Sequence, residues 1–264
     1  MDMLLDNKTA VIYGAGGAIG GAVARAFARE GARLFLTGRD VAKVDAVAED
    51  IVAAGGAAET AEVDALDGSA VEEHLTVVVD RAGGVDISFN AIGPGPTPHR
   101  VALTELAADA FTRPIAFYTG SNFITATAAA RRMSGQGSGV IVTLTAVPGR
   151  SPANLLGGSA PAWAAVEAFS RSLALEMGPA GVRVVCLRPH AIPETPLIAE
   201  NFATAAQAAG VNPAQFQAIL EQGTLLKRLP TLDEVAETAA FVASERAGAM
   251  TATVVNLSAG AITD

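Results

Sequence analysis

One feature constrains this chain more than any other: short β-type apolar runs alternate with long alanine-rich segments from one end to the other. "TAVIYG" (9–14) reads as a buried strand, and "IGGAVARAFAREGA" after it sets Ile19, Val23, Ala26 and Phe27 at helical spacing. "RLFLTG" is a second strand, followed by the helix "VAKVDAVAEDIVAAGG", which stops at Gly55-Gly56. "AAETAEVD" and "VDISFNAIG" read as the third and fourth strands, with the helix "SAVEEHLTVVVDRAG" between them. A long helix through "IAFYTGSNFITATAAARRM" leads to the strand "GVIVTLT", and a helix over 160–177 leads to "VRVVCLRP". The helix "LDEVAETAAFVAS" and the strand "ATVVNL" close the chain. Strands joined by helices demand right-handed crossovers, so the fold class is α/β, a doubly wound parallel sheet with helices on both faces. Strands that are apolar without alternation fit burial on both faces.

With 264 residues the chain is expected to form one Rossmann-type domain over 1–264. Residues 190–228 break the rhythm with Pro193, Pro196, Pro213 and the helix-like "AENFATAAQAAG". An irregular insertion after a late strand reads either as a substrate lid or as an ordinary pair of surface helices. A formal charge of −9 argues against nucleic acid and anionic membrane as partners. The opening "MDMLLDNKTA" has acid where a signal peptide carries base, and no apolar run is long enough to span a bilayer, so a cytoplasmic location is expected. The single cysteine, Cys186, rules out an internal disulfide and sits in an apolar run as a small core residue. His74, His99 and His190 have no ligand spacing, and no metal is expected.

"YGAGGAIGG" (13–21) joins the first strand to the first helix, where a ligand's phosphates approach the helix N-terminus only if side chains are missing. Gly14, Gly16 and Gly17 permit positive φ and close backbone approach, and Gly20 lets the helix pack on the sheet. Arg39, just past the second strand in "LTGRD", suits a ribose 2′-phosphate, which favours NADP(H) over NAD(H) in spite of Asp40 beside it.

These motifs resemble the short-chain dehydrogenase/reductase family, of the kind that includes 3-oxoacyl-carrier-protein reductases, and the match runs nearly end to end. The family's TGxxxGIG matches residues 13–20, with Tyr13 for the threonine and Ala18 for the middle glycine. The resemblance implies about seven strands in the order 3-2-1-4-5-6-7. It further implies a cofactor site formed by Gly14, Gly16, Gly17, Ile19, Gly20 and Arg39, by Asp64 and Ala65 after the third strand, and by Asn90, Ala91, Ile92 and Gly93 in "NAIG". The turn "RPHAIPET", with His190 in place of a glycine and one extra residue, resembles the segment that holds the nicotinamide amide, and so brings in Ile192. A homo-oligomer, tetramer or dimer, is implied as well.

The family's chemistry uses a tyrosine, a lysine four residues later, a serine and an asparagine. Those positions carry Ser159, Trp163, Ala146 and Tyr118 here. The register is not shifted: the tyrosines are Tyr13 and Tyr118, the lysines Lys8, Lys43 and Lys227, and no Tyr-x-x-x-Lys pair exists. Trp163 supplies no cation, and Ala146 removes a donor to a substrate oxygen. Tyr118, Ser159, Thr145 and His190 are the candidate substitutes for the proton donor. Two readings stand. One is a divergent NADP(H)-dependent oxidoreductase acting on a small, mostly apolar carbonyl, imine or enone without the Tyr/Lys mechanism. The other is a dinucleotide-binding or regulatory protein that has lost catalysis.

Overall fold

A computed structural model of the protein describes residues 3–93, 101–152 and 155–263. His99 lies outside the described residues. The strands are β1 (Thr9–Tyr13), β2 (Arg33–Gly38), β3 (Ala57–Glu62), β4 (Ile87–Asn90), β5 (Gly139–Leu144), β6 (Val182–Pro189) and β7 (Thr253–Leu257). The helices are α1 (Ala18–Arg29), α2 (Val41–Ala53), α3 (Gly68–Ala82), α4 (Ala108–Gln136), α5 (Ser159–Met177), α6 (Pro196–Ala209), α7 (Pro213–Gln222) and α8 (Leu232–Ala243). All seven strands are parallel, in the order β3-β2-β1-β4-β5-β6-β7. The expected sheet is present.

Each central strand is apolar on both sides because each side meets helices. In β1, Ala10 and Ile12 join a core under α1 and α8, while Val11 and Tyr13 join a second core under α3, α4 and α5. The edge strand β3 departs from that expectation. None of its six residues is fully buried, and its Glu59 binds Arg33 and Arg81. Among the described residues no strand pairs with the outer edge of β3. The α4 helix begins at Ala108, seven residues before its apolar spacing becomes clear in the sequence, and carries Pro114 inside it.

The strand order reverses between β1 and β4, because the connection after β3 crosses the sheet to the far side of β1. Loops leaving the carboxyl ends of β1 and β4 therefore diverge, which opens a crevice at that end of the sheet.

Candidate cofactor groove and reaction cavity

The turn after β1 leaves backbone amides of α1 exposed. The Gly14 and Ala15 amides donate to the Thr37 carbonyl of β2 (2.9 and 3.0 Å), and the Gly17 amide donates to the Gly14 carbonyl (3.1 Å), which pins the loop against the sheet. Gly17 caps α1 with no side chain, and no acid stands in the first helical turn. The first amides of α1 thus have no intrahelical acceptor and no capping oxygen, leaving them to an anion. Positive φ occurs at Gly14 (φ 76) but not at Gly16 or Gly17. Gly16 is required for space instead: a Cβ there would lie 2.8 Å from the Lys43 Cβ. Gly20 has the packing role expected of it, since a Cβ there would lie 2.3 Å from the Gly14 carbonyl oxygen.

A cavity of about 330 Å³ opens beside this turn, lined by Gly14, Gly16, Gly17, Arg39, Asp64, Ala65, Ala91, Ile92 and Gly93 among others. Nine of the sequence-derived cofactor residues meet on this one surface. The Arg39 guanidinium lies 5.9 Å from the centroid of the Phe117 ring and forms no ion pair with the described residues. Its acidic neighbour is engaged elsewhere. Asp40 binds Lys43 Nζ at 2.9 Å and caps α2 through the Lys43 amide, and the Lys43 contact holds the Asp40 carboxyl below its usual range. Asp64 accepts from the Leu66 amide at 3.0 Å, which shapes the turn after β3. Asn90 and Gly20 do not line the cavity. Asn90 is buried behind it, donating to Thr125 Oγ1 (2.9 Å) and accepting from the Ile92 amide (2.9 Å), so it fixes the 90–93 turn that forms the wall.

A second cavity of about 390 Å³ continues from the first through Gly17, Ala91, Ile92 and Gly93, which line both. Ile19, Leu144, Thr145, Ala146, Tyr118, Trp163, His190 and Ile192 line it, together with Thr195–Ile198 at the start of α6. No Lys, Arg, Asp or Glu is among its described lining residues. The four candidate proton donors fare differently. Ser159 is fully buried at the first residue of α5 and does not line the cavity. Tyr118 lines it but is 2% exposed, and its hydroxyl donates to the Leu144 carbonyl. Burial drives the Tyr118 pKa upward, and the neighbouring Trp163 side chain offsets this in part. Thr145 Oγ1 lies 3.2 Å from Glu167 Oε1 and 3.3 Å from the Leu187 carbonyl. His190 is half-buried, its Nδ1 accepts from the Ala191 amide at 2.7 Å, and burial holds its pKa below the usual imidazole value.

Three groups escaped the sequence reading. Phe117 and Lys43 line the first cavity, and Glu167 forms a buried ion pair with Arg188 (Nε–Oε1 2.7 Å) directly behind Thr145. The ion pair had a signal: Arg188 is a charge that directly follows the apolar run "VVCL" in a central strand, and such a charge requires a partner when buried. Phe117 had none, because its neighbourhood to Arg39 spans most of a crossover.

Comparison with known proteins agrees with the geometry. A family model described as enoyl-(acyl carrier protein) reductase matches residues 14–261. An uncharacterized oxidoreductase of Mycobacterium tuberculosis is 31% identical over 98% of this chain and 94% of its own length. L-rhamnose 1-dehydrogenase (NAD(P)(+)) of Azotobacter vinelandii is 31% identical over 72% of this chain and 75% of that one. Levodione reductase, a solved structure, superposes with a TM-score of 0.87 at 27% identity over 97% of both chains. A glycine turn held by β2, a crevice at the strand-order reversal and a sequence match spanning nearly all of the chain lead to one conclusion: it belongs to the short-chain dehydrogenase/reductase family of oxidoreductases.

Proposed function

We propose that this protein binds NADP(H) in preference to NAD(H) and acts on a small, mostly apolar carbonyl, imine or enone without a Tyr/Lys couple. The observation that carries this reading is the continuity of the two cavities, one walled by bare amides and Arg39, the other almost wholly apolar. The uncapped amides of α1 fit a pyrophosphate, Asp64 and Ala65 flank the adenine end, and Arg39 stands where a 2′-phosphate would be read. A dinucleotide bound there supplies or accepts a hydride at its nicotinamide. The chain's own part is to exclude water and to orient the reacting carbonyl. Ile19, Ile92, Leu197 and Ile198 supply the dry wall. Residues 190–228 serve as a lid in this reading, since the start of α6 contributes Thr195, Pro196, Leu197 and Ile198 to the cavity. The protein would work in the cytoplasm as a homo-oligomer.

A second reading, dinucleotide binding without turnover, has its own support: Trp163 stands in the cation's place and the Tyr118 hydroxyl is turned to a backbone carbonyl. Titration with NADPH and NADH, followed by nicotinamide fluorescence, tests both. Tighter binding of NADPH, then turnover across a panel of ketones and enones, is expected. Binding without turnover would select the second reading, and failure to bind either nucleotide at near-millimolar concentration would remove both.

A further inference from the structure

We infer that His190 acts in the second cavity as a fixed, neutral hydrogen-bond donor, presenting Nε2–H to the carbonyl oxygen of a compact apolar ligand, and not as a proton donor. The inference rests on the reading that a carbonyl compound occupies this cavity, and it assigns the group that grips the oxygen. The argument begins with direction. The Ala191 amide lies 2.7 Å from His190 Nδ1. An amide N–H only donates, so Nδ1 must be the unprotonated, accepting nitrogen, and the single proton of the neutral ring sits on Nε2. A second proton on Nδ1 would set two donors face to face, so the contact that selects the tautomer also resists the imidazolium. Burial of the ring acts in the same sense. The backbone is held from the other side, where the His190 amide donates to the Leu257 carbonyl of β7 at 3.1 Å.

The other polar side chains of the wall direct their protons into the protein. The Tyr118 hydroxyl donates to the Leu144 carbonyl. Thr145 Oγ1 lies between Glu167 Oε1 and the Leu187 carbonyl, and Thr195 Oγ1 donates to the Ile192 carbonyl at 2.9 Å. His190 Nε2 has no hydrogen-bond partner among the described residues and is not a sealed polar atom. Among the imidazole and hydroxyl side chains lining the cavity it is therefore the donor left for a ligand. A wall with so few donors and no charge selects a small alicyclic or aromatic ketone or enone over a polyol or a carboxylate. A neutral imidazole donor polarises a carbonyl without surrendering its proton, a role known from other enzymes.

The test uses the full-length protein labelled with ¹⁵N, with the His190 ring signals assigned by their absence in His190→Gln. The expected spectrum has the Nε2–H tautomer with an accepting Nδ1; an Nδ1–H tautomer, or rapid exchange between the two, would overturn the inference. Cyclohex-2-enone is then added with and without NADP⁺. A shift of the His190 Nε2–H signal is expected, and no shift in either sample would overturn it. If turnover is present, His190→Phe should lower kcat/KM for the enone by roughly 10²-fold, the loss typical of one oxyanion-type donor. His190→Gln, which keeps an N–H, should recover part of that loss. NADPH titration of both variants separates the two claims. Equal NADPH affinity is expected, whereas no NADPH binding in the wild type would remove the dinucleotide reading and leave the tautomer and the enone shift to decide the role of His190.

Discussion

Tyr118 stands where the family resemblance calls for an asparagine, and its phenol points at the Leu144 carbonyl. A phenol held by a backbone acceptor, with burial raising its pKa, is suited to filling and sealing a wall. Trp163 completes the same wall four residues after Ser159. In the proposed NADP(H) reading Arg39 would set the nucleotide preference, because Asp40 is occupied by Lys43 and by the N-terminus of α2. Arg39→Ala is expected to weaken NADPH binding by roughly 10- to 100-fold, the range for hydrogen bonds to a charged group. NADH binding should change far less. Fluorescence titration of both nucleotides checks this, and an equal loss for the two would dismiss the 2′-phosphate role.

Single helices carry the next set of consequences. α5 brings Glu167 against Arg188 of β6, and both side chains are at most 5% exposed. Removing one partner of such a pair strands the other charge in a low-dielectric interior, so Glu167→Ala should cost about 3–5 kcal/mol in urea denaturation. Replacing Glu167 and Arg188 together by methionine should cost markedly less, and equal losses would show that the ion pair is not what matters. On α3, His74 packs edge-on against Phe35 with its Nδ1 buried and unpartnered, and burial pushes its pKa down to about 4. In the unfolded chain the same imidazole titrates near ~6.5. Between those values the unfolded state holds more protons, so stability falls as pH drops from about 6.5 to about 4 and is insensitive to this group above that window. The full difference is on the order of 3 kcal/mol. His74→Leu should flatten this part of the stability profile between pH 7 and pH 4.5, and an unchanged slope would refute the assignment.

At the scale of the whole molecule, the site exists because the sheet reverses its order between β1 and β4. The outer face of α4 and α5 carries a tilted pair of rings, Phe123 and Phe169, with centroids 6.0 Å apart, and Phe123 is 57% exposed. Phe123→Asp is therefore expected to reduce the mass of an assembly through this face, measured by sedimentation; an unchanged mass would place self-association elsewhere. The alternation of strands and helices and the glycine turn were legible from the chain alone, because each rests on neighbours within one βα unit. One expectation failed where the environment is set from afar: β3, at the edge of the sheet, has no fully buried residue; and at Gly16 it is the space beside Lys43 that excludes a side chain. The sequence by itself determined the sheet, the glycine turn after β1 and the absence of a Tyr-x-x-x-Lys pair, since these follow from residue type and local spacing. Only the tertiary structure decided which hydroxyls remain available, that Glu167 answers Arg188, and that His190 keeps its proton on Nε2, because the direction of a hydrogen bond depends on which acceptor the fold brings within 3 Å.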